Sequence, residues 1–307
     1  MSTTIAPSTH ETNVSKLHTS KPSFSGLVRG ELFKTSRQWS TWIMLVLFMG
    51  FIFLPYLIMF VETDLKSVIA APHDEYFYSR VAVGLALIRV FGGMLIVIMA
   101  ARVIGQEYSQ GTIRIVLARG VGRVQFLLAK LLAIALWAIF IVLIGLVLNL
   151  LLAIAQIQIV AGNINALTNL NATTWHDLGV YVLTILASMA VTILMTTAIT
   201  VLFRSLAGGL SASIAWFPAD NIVVIILSLA FRLTKNDFWQ NISGYLLGPN
   251  LNIMAGQVAG VQNSSWAFGS PPLVIVDGSH TLLVTAAYAV IFATAAIILT
   301  WKRDVKE

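Results

Sequence analysis

Six long apolar runs dominate the chain. They fall at about Trp42–Val61, Val81–Ala101, Leu127–Ile154, Leu178–Phe203, Leu206–Phe231 and Leu282–Trp301. Runs of about 18 or more such residues are long enough to cross a hydrocarbon core as helices. In lipid every backbone polar group must be satisfied internally, so the runs are predicted to be helical. Pro218 and Asp220 fall inside the fifth run and predict an interruption there. The pattern therefore predicts an all-α, polytopic membrane protein with six transmembrane helices.

The polar segments between the runs predict a topology. Met1–Thr41, Arg102–Phe126, the short turn at Arg204 and Lys302–Glu307 carry most of the lysine and arginine. The opposite set of loops holds only Lys66, Arg80, Arg232 and Lys235. By the positive-inside rule, the first set and both termini are expected to be cytoplasmic, in a multi-pass protein of the cell membrane. An even number of spans agrees.

Residues 1–22 are rich in Ser and Thr and lack apolar periodicity, so they are expected to form a mobile cytoplasmic tail. The membrane domain is then 23–303, with a short cytoplasmic end at 304–307. From Ser23 an amphipathic interfacial helix is expected, with Phe24, Leu27, Val28 and Leu32 on one face and Arg29, Lys34 and Arg37 carrying charge. On the other side, Asp64–Tyr78 is acidic and Gln156–Trp175 is Asn-rich. The long Arg232–His280 segment is expected to hold short helices or a re-entrant segment around Asp237–Val261. Asn171, Asn241 and Asn263 begin N-x-[ST] triplets there, which matter only in a eukaryotic secretory host. No internal repeat is evident.

Composition narrows the function classes. The chain of 307 residues is 58% hydrophobic and only 10% charged, against about 25% charged in soluble domains. A soluble enzyme, a disordered chain and a fibrous repeat are thereby excluded. The sequence has no cysteine, which removes disulfides, Cys-ligated zinc and thiol nucleophiles. A net charge of +6 is spread over membrane flanks, leaving no footprint for nucleic acid. Ser211 and His280 are placed at opposite ends of their spans, too far apart for a nucleophile and its base. No H-E-x-x-H occurs, and His73-Asp74-Glu75 reads as a solvated acidic loop.

Two charges lie inside apolar runs, which is costly unless they pair or face water. Arg89 sits about 12 Å in from the end of the second run, and Asp220 about 21 Å along the fifth, at 1.5 Å per residue. Both are expected in the same half of the membrane, facing one cavity or pairing directly. The alternative is that Arg89 snorkels outward alone and Asp220 sits at a break made by Pro218. Gly84, Gly92, Gly93, Gly145, Gly208 and Gly209 are small residues that let membrane helices approach closely.

The most informative polar stretch lies between the second and third runs: EYSQGTIRIVLARGVGRVQFLLAK, Glu107 to Lys130. Glu107 suits a helix N-terminus, Gly111 permits a bend and Thr112 can cap a new turn. Ile113, Val116 and Leu117 would make a short apolar face with Arg114 on another, and Arg119–Arg123 reads as a turn. The residues alone leave a docking surface and a plain basic topology loop both open.

This stretch resembles the loop of type-2 ABC exporter permeases, through Glu107, Tyr108, Gly111, Thr112, Arg114, Leu117, Arg123 and Lys130. Arg29-Gly-Glu31-Leu-Phe-Lys34 resembles that family's elbow helix, and Gly248-Pro-Asn-Leu-Asn252 a segment before its last span. The order of elements matches over about residues 24–303. The resemblance implies a coupling helix that sits in a groove of a separate ATP-binding subunit, with Glu107, Tyr108, Gly111, Thr112, Arg114, Arg119 and Arg123 at the interface. It implies a second permease, identical or different, embedded with this one among membrane lipids. ATP and Mg would belong to the partner subunit, since this chain has no G-x-x-x-x-G-K-[ST] and is expected to hold no cofactor and perform no covalent chemistry. The alternatives are an ATP-independent secondary transporter or channel, and a membrane scaffold that moves no solute.

Overall fold

The computed structural model describes residues 23–62, 73–112, 115, 118, 120–161, 171–259 and 269–302. The expected tails at 1–22 and 304–307, most of the acidic loop from Asp64, and Asn263 lie outside them. The elements in chain order are α1 (Phe24–Ser36), α2 (Trp39–Glu62), α3 (His73–Leu87), a π segment (Ile88–Gly92), α4 (Gly93–Ser109), α5 (Arg123–Ala161), α6 (Ala172–Phe203), α7 (Leu206–Thr234), α8 (Phe238–Ser243), α9 (Leu247–Ala259) and α10 (Gly278–Lys302). Among the described residues the fold is all-helical, and six helical segments are long and apolar enough to cross a membrane. They match the six runs.

Two expectations about span regularity are corrected. Pro218 does not break the fifth span: α7 runs unbroken from Leu206 to Thr234. A proline removes one backbone N–H, and a long membrane helix with its other bonds intact tolerates that loss. The irregular span is instead the second, where five residues around Arg89 take the wider π turn. The second helix also begins at His73, well before the apolar run starts at Val81.

The centre of the bundle is α6, packed against α4, α5, α7, α9 and α10. Its buried face includes Ile185, Met189, Ile193 and Met195. By contrast α2 and α7 keep large apolar side chains exposed, among them Val46, Leu47, Phe53, Ile222, Ile225 and Ile226. Such faces suit lipid or another apolar helix. The 39 residues of α5 extend about 58 Å, far more than a ~30 Å core. The helix is therefore long enough to project beyond the hydrocarbon.

The elements that sequence sorting put on the basic side come together at one end of the bundle. The Leu206 N–H donates to Ser109 Oγ at 3.3 Å, and Arg123 Nη1 donates to the Trp301 carbonyl at 3.3 Å. At the other end, α8 and α9 fill the connection between α7 and α10. Asn250, fully buried, donates from Nδ2 to the carbonyls of Gly244 and Leu246 at 2.7 and 2.8 Å. His280 Nε2 lies 2.8 Å from the Gly244 carbonyl, which gives this histidine a structural partner. Asp277 caps α10, and the Ser279 hydroxyl and His280 N–H hold its carboxyl below the usual range.

Several glycines mark tight helix crossings. A Cβ at Gly145 would sit 2.9 Å from Ile88, and one at Gly92 2.7 Å from Met189. The closest backbone approach is at Gly105, where a Cβ would meet Leu206 Cα at 2.7 Å. Gly105→Ala is therefore expected to destabilise the protein by about 1–3 kcal/mol through overpacking. Gly50→Ala, whose Cβ meets nothing within 4 Å, is expected to be neutral or slightly stabilising. Thermal melting of the purified variants in detergent checks both; equal melting temperatures would refute the close packing of α4 on the start of α7.

Candidate functional site

The loop between α4 and α5 is built on a buried charge cluster. Glu107 lies in the last turn of α4 and is 5% exposed. It is not at a helix N-terminus, contrary to the expectation from its sequence context. Its Oε1 accepts from Lys34 Nζ of α1 at 2.7 Å and from Lys130 Nζ of α5 at 3.2 Å. Its Oε2 accepts from the Thr112 hydroxyl. Lys130 is itself 2% exposed, and also donates to Glu31 Oε1 at 2.7 Å and to the Val103 carbonyl at 3.0 Å. Its ammonium stands 4.7 Å from the Phe126 ring centroid. Two carboxylates and two ammonium groups thus balance across three helices.

Apolar packing sets this geometry. Ser23 caps α1, accepting from the Gly26 N–H at 3.1 Å, and starts the helix so that Val28 falls on Ala129 and Ala133 of α5. Glu31 and Lys34 then lie about one and two turns further along and reach Lys130 and Glu107. Phe24 and Phe33, by contrast, remain exposed. Arg102 reinforces the joint, donating to Ser40 Oγ and, at 3.0 Å, to Gln38 Oε1 in the α1–α2 turn.

From this base the chain turns sharply. Gly111 takes φ +67 with open space around its absent Cβ, so the backbone conformation itself calls for glycine. Thr112, Ile115 and Ala118 are helical, and Ile115 is 58% exposed. Gly120, at φ +81, closes the loop. Val121 and Phe126 then bury together, with Tyr108 and Leu27 against them. Of the residues singled out in the sequence, Glu107, Tyr108 and Thr112 face the joint, Arg123 bonds the end of α10, and Gly111 makes the bend. Arg114 and Arg119, with Ile113, Val116 and Leu117, lie outside the described residues.

The two intramembrane charges are not an ion pair among the described residues. Each is bound instead to α9. Asp220, 8% exposed, accepts from the Gly248 N–H at the start of α9 at 2.7 Å, where a helix N-terminus favours a carboxylate. Arg89 donates to the Leu251 carbonyl at 3.1 Å and to Asn252 Oδ1 at 3.2 Å. Since Asp220 precedes the end of α7 by fourteen residues, α9 dips back about 21 Å along that helix. Of the short helices or re-entrant segment expected around Asp237–Val261, the structure shows two short helices, α8 and α9, and the second supplies hydrogen-bond partners to both charged side chains.

Sequence reasoning passed over one further polar junction. Asn149, fully buried in the apolar run of α5, donates to the Val81 carbonyl at 3.0 Å and accepts from the Tyr56 hydroxyl. An isolated Asn in the last quarter of the third run was the available signal.

Lys130→Met is expected to destabilise the protein by about 3–5 kcal/mol, because it removes the cation that pairs with Glu31 and leaves the buried Glu107 with Lys34 alone. Lys34→Met, at a side chain 41% exposed, is expected to cost about 1 kcal/mol or less. Melting curves of the two variants side by side test this; a Lys130→Met protein as stable as the native one would mean the cluster carries no structural weight.

No curated protein matches the chain. A family model described as ABC-2 family transporter protein matches residues 27–234. That stretch begins within α1, takes in the charge cluster and the loop it supports, and ends with α7. This chain belongs to the ABC-2 family of transporter proteins.

Proposed function

We propose that the chain is the membrane-spanning permease of an ABC exporter, driven by ATP hydrolysed on a separate ATP-binding subunit. That subunit would dock on the loop between α4 and α5. The carrying observation is the loop's construction. Its base is locked by Glu107, Lys130, Lys34 and Glu31, while Ile115, midway along, is helical and 58% exposed. A rigid base and an exposed apolar tip suit a segment that receives force from a partner and passes it to α4 and α5. Glu107 in this reading is a positioning residue, turned inward to hold the loop. Tyr108, Gly111, Thr112 and Arg123 shape the loop's ends, and the resemblance adds Arg114 and Arg119 to the contact with the partner.

In this reading the basic end is cytoplasmic, with both termini, and the protein resides in the cell membrane. ATP and Mg would be held by the partner. A second permease, identical or related, would pack against an exposed apolar helix face, and lipid would cover the rest. Secondary transporters often carry a helix broken near mid-membrane, and α7 is continuous through Pro218, which does not favour that alternative.

The test is co-purification. A tagged chain, solubilised gently from its native host, is expected to bring down a P-loop ATPase in stoichiometric amount. Ile115→Asp is expected to lose that partner while keeping the native melting temperature, since the site is exposed. A chain that purifies alone in both forms, with transport unaffected by ATP, would overturn the reading.

A further inference from the structure

A cavity of about 430 Å³ lies where the π segment and the start of α4 face α6, α7 and α9. That volume is within the usual range for small-molecule sites. Its polar wall comprises Arg89, Ser188, Thr192, Asn221 and Asn252. Much of the remaining wall is apolar, including Met94, Val97, Ile214 and Phe217.

The polar groups on this wall are not equivalent. Asn221 and Asn252 are both committed to Ser270. Asn221 Oδ1 accepts from its N–H at 2.6 Å, and Asn252 Nδ2 donates to its carbonyl at 3.2 Å. Asn221 Nδ2 also donates to the Phe217 carbonyl at 2.9 Å, and Thr192 donates to the Ser188 carbonyl at 2.8 Å. Arg89 differs. Its two hydrogen bonds go to neutral oxygens, those of Leu251 and Asn252. A guanidinium has five N–H donors, and its positive charge is not cancelled by two amide dipoles. Among the described residues no carboxylate lies within ion-pair distance, and Asp220 is occupied by the Gly248 N–H. Arg89 nevertheless keeps part of its surface accessible, on the cavity wall. A cation inside a membrane span normally has a counter-charge or water.

We propose that this cavity binds an amphiphile carrying one anionic group, a carboxylate or a phosphate. The anion would sit against Arg89, and the apolar body would lie along Met94, Val97, Ile214 and Phe217. Four elements, the π segment, α6, α7 and α9, converge on it, so an occupant would bridge α9 to the body of the bundle. The proposal concerns binding by this chain and does not depend on what drives transport.

The probe is a photoreactive diazirine palmitic acid, applied to the purified full-length protein in phosphatidylcholine nanodiscs, with its methyl ester as the neutral control. The acid is expected to label peptides containing Met94 and Phe217 saturably, and the ester only diffusely. Arg89→Gln is expected to weaken labelling by about tenfold, the scale of a lost charge-assisted hydrogen bond, and Arg89→Lys to recover part of it. Because Arg89 also holds α9, a second variant separates binding from folding. Gly93 lines the cavity and a Cβ there meets nothing within 4 Å. Gly93→Leu should intrude into the cavity and weaken saturable labelling severalfold with the melting temperature unchanged. Competition by hexadecyl phosphate would assign phosphate amphiphiles to the site as well; its failure would assign carboxylates alone, and either supports an anion site. Equal labelling by acid and ester, or native labelling in a correctly folded Gly93→Leu protein, would overturn the proposal.

Discussion

The placement of Lys130 is the constraint on which the basic end depends. An ammonium buried to this degree is tolerated only if its charge is matched and its donors are used. Here the matches come from α1 and α4, and a backbone carbonyl of α4 takes another bond. Three helices that are distant in sequence are therefore fixed by one side chain. α1 cannot drift from α5 without stranding Glu31, and α4 cannot rotate without stranding Glu107. The apolar contact of Val28 with Ala129 and Ala133 alone would hold α1 near α5 but would not set its register. Charge supplies the register, and apolar burial supplies most of the adhesion.

A second polar arrangement governs the opposite half of the bundle. α9 would be an awkward element at membrane depth, since a helix end leaves backbone groups unsatisfied. Asp220 satisfies its beginning and Arg89 grips it one turn later. The two costly charges of the spans are thus spent on one short helix. Hydrogen bonding through Asn250 and Ser243 then ties the preceding turn and the returning chain to the same place.

Much of this was legible in the sequence, and the remainder was hidden for identifiable reasons. Apolar run length gave the six spans because lipid allows few other solutions. Lysine and arginine placement correctly grouped the loops that meet at one end. Glu107, Lys34 and Lys130 were each visible as motif residues, yet their joining was not. Lys130 meets Glu107 from 23 positions away and Glu31 from 99, and no local rule connects such distances. Arg89 and Asp220 stand out in the sequence as costly charges, and the sequence leaves open a shared cavity, a direct pair, or separate fates at the span end and at a proline break. Their partners on α9 are the Gly248 N–H, the Leu251 carbonyl and the Asn252 side-chain oxygen; the two backbone groups carry no signature in side-chain identity. The proline of α7 drew attention to the wrong span, while the π segment left no comparable mark.

That π segment has a geometric consequence for the whole second span. On an uninterrupted α-helix, the eighteen residues from Arg89 to Glu107 make about five whole turns, and the two side chains would point the same way. A wider turn at Ile88–Gly92 offsets the azimuth of everything beyond it. Arg89 can then address α9 while Glu107 addresses α1 and α5. The bulge behaves as a fixed angular gear between the two ends of the span. Any rotation that relaxed it to α-helical pitch would have to be taken up at one end or the other.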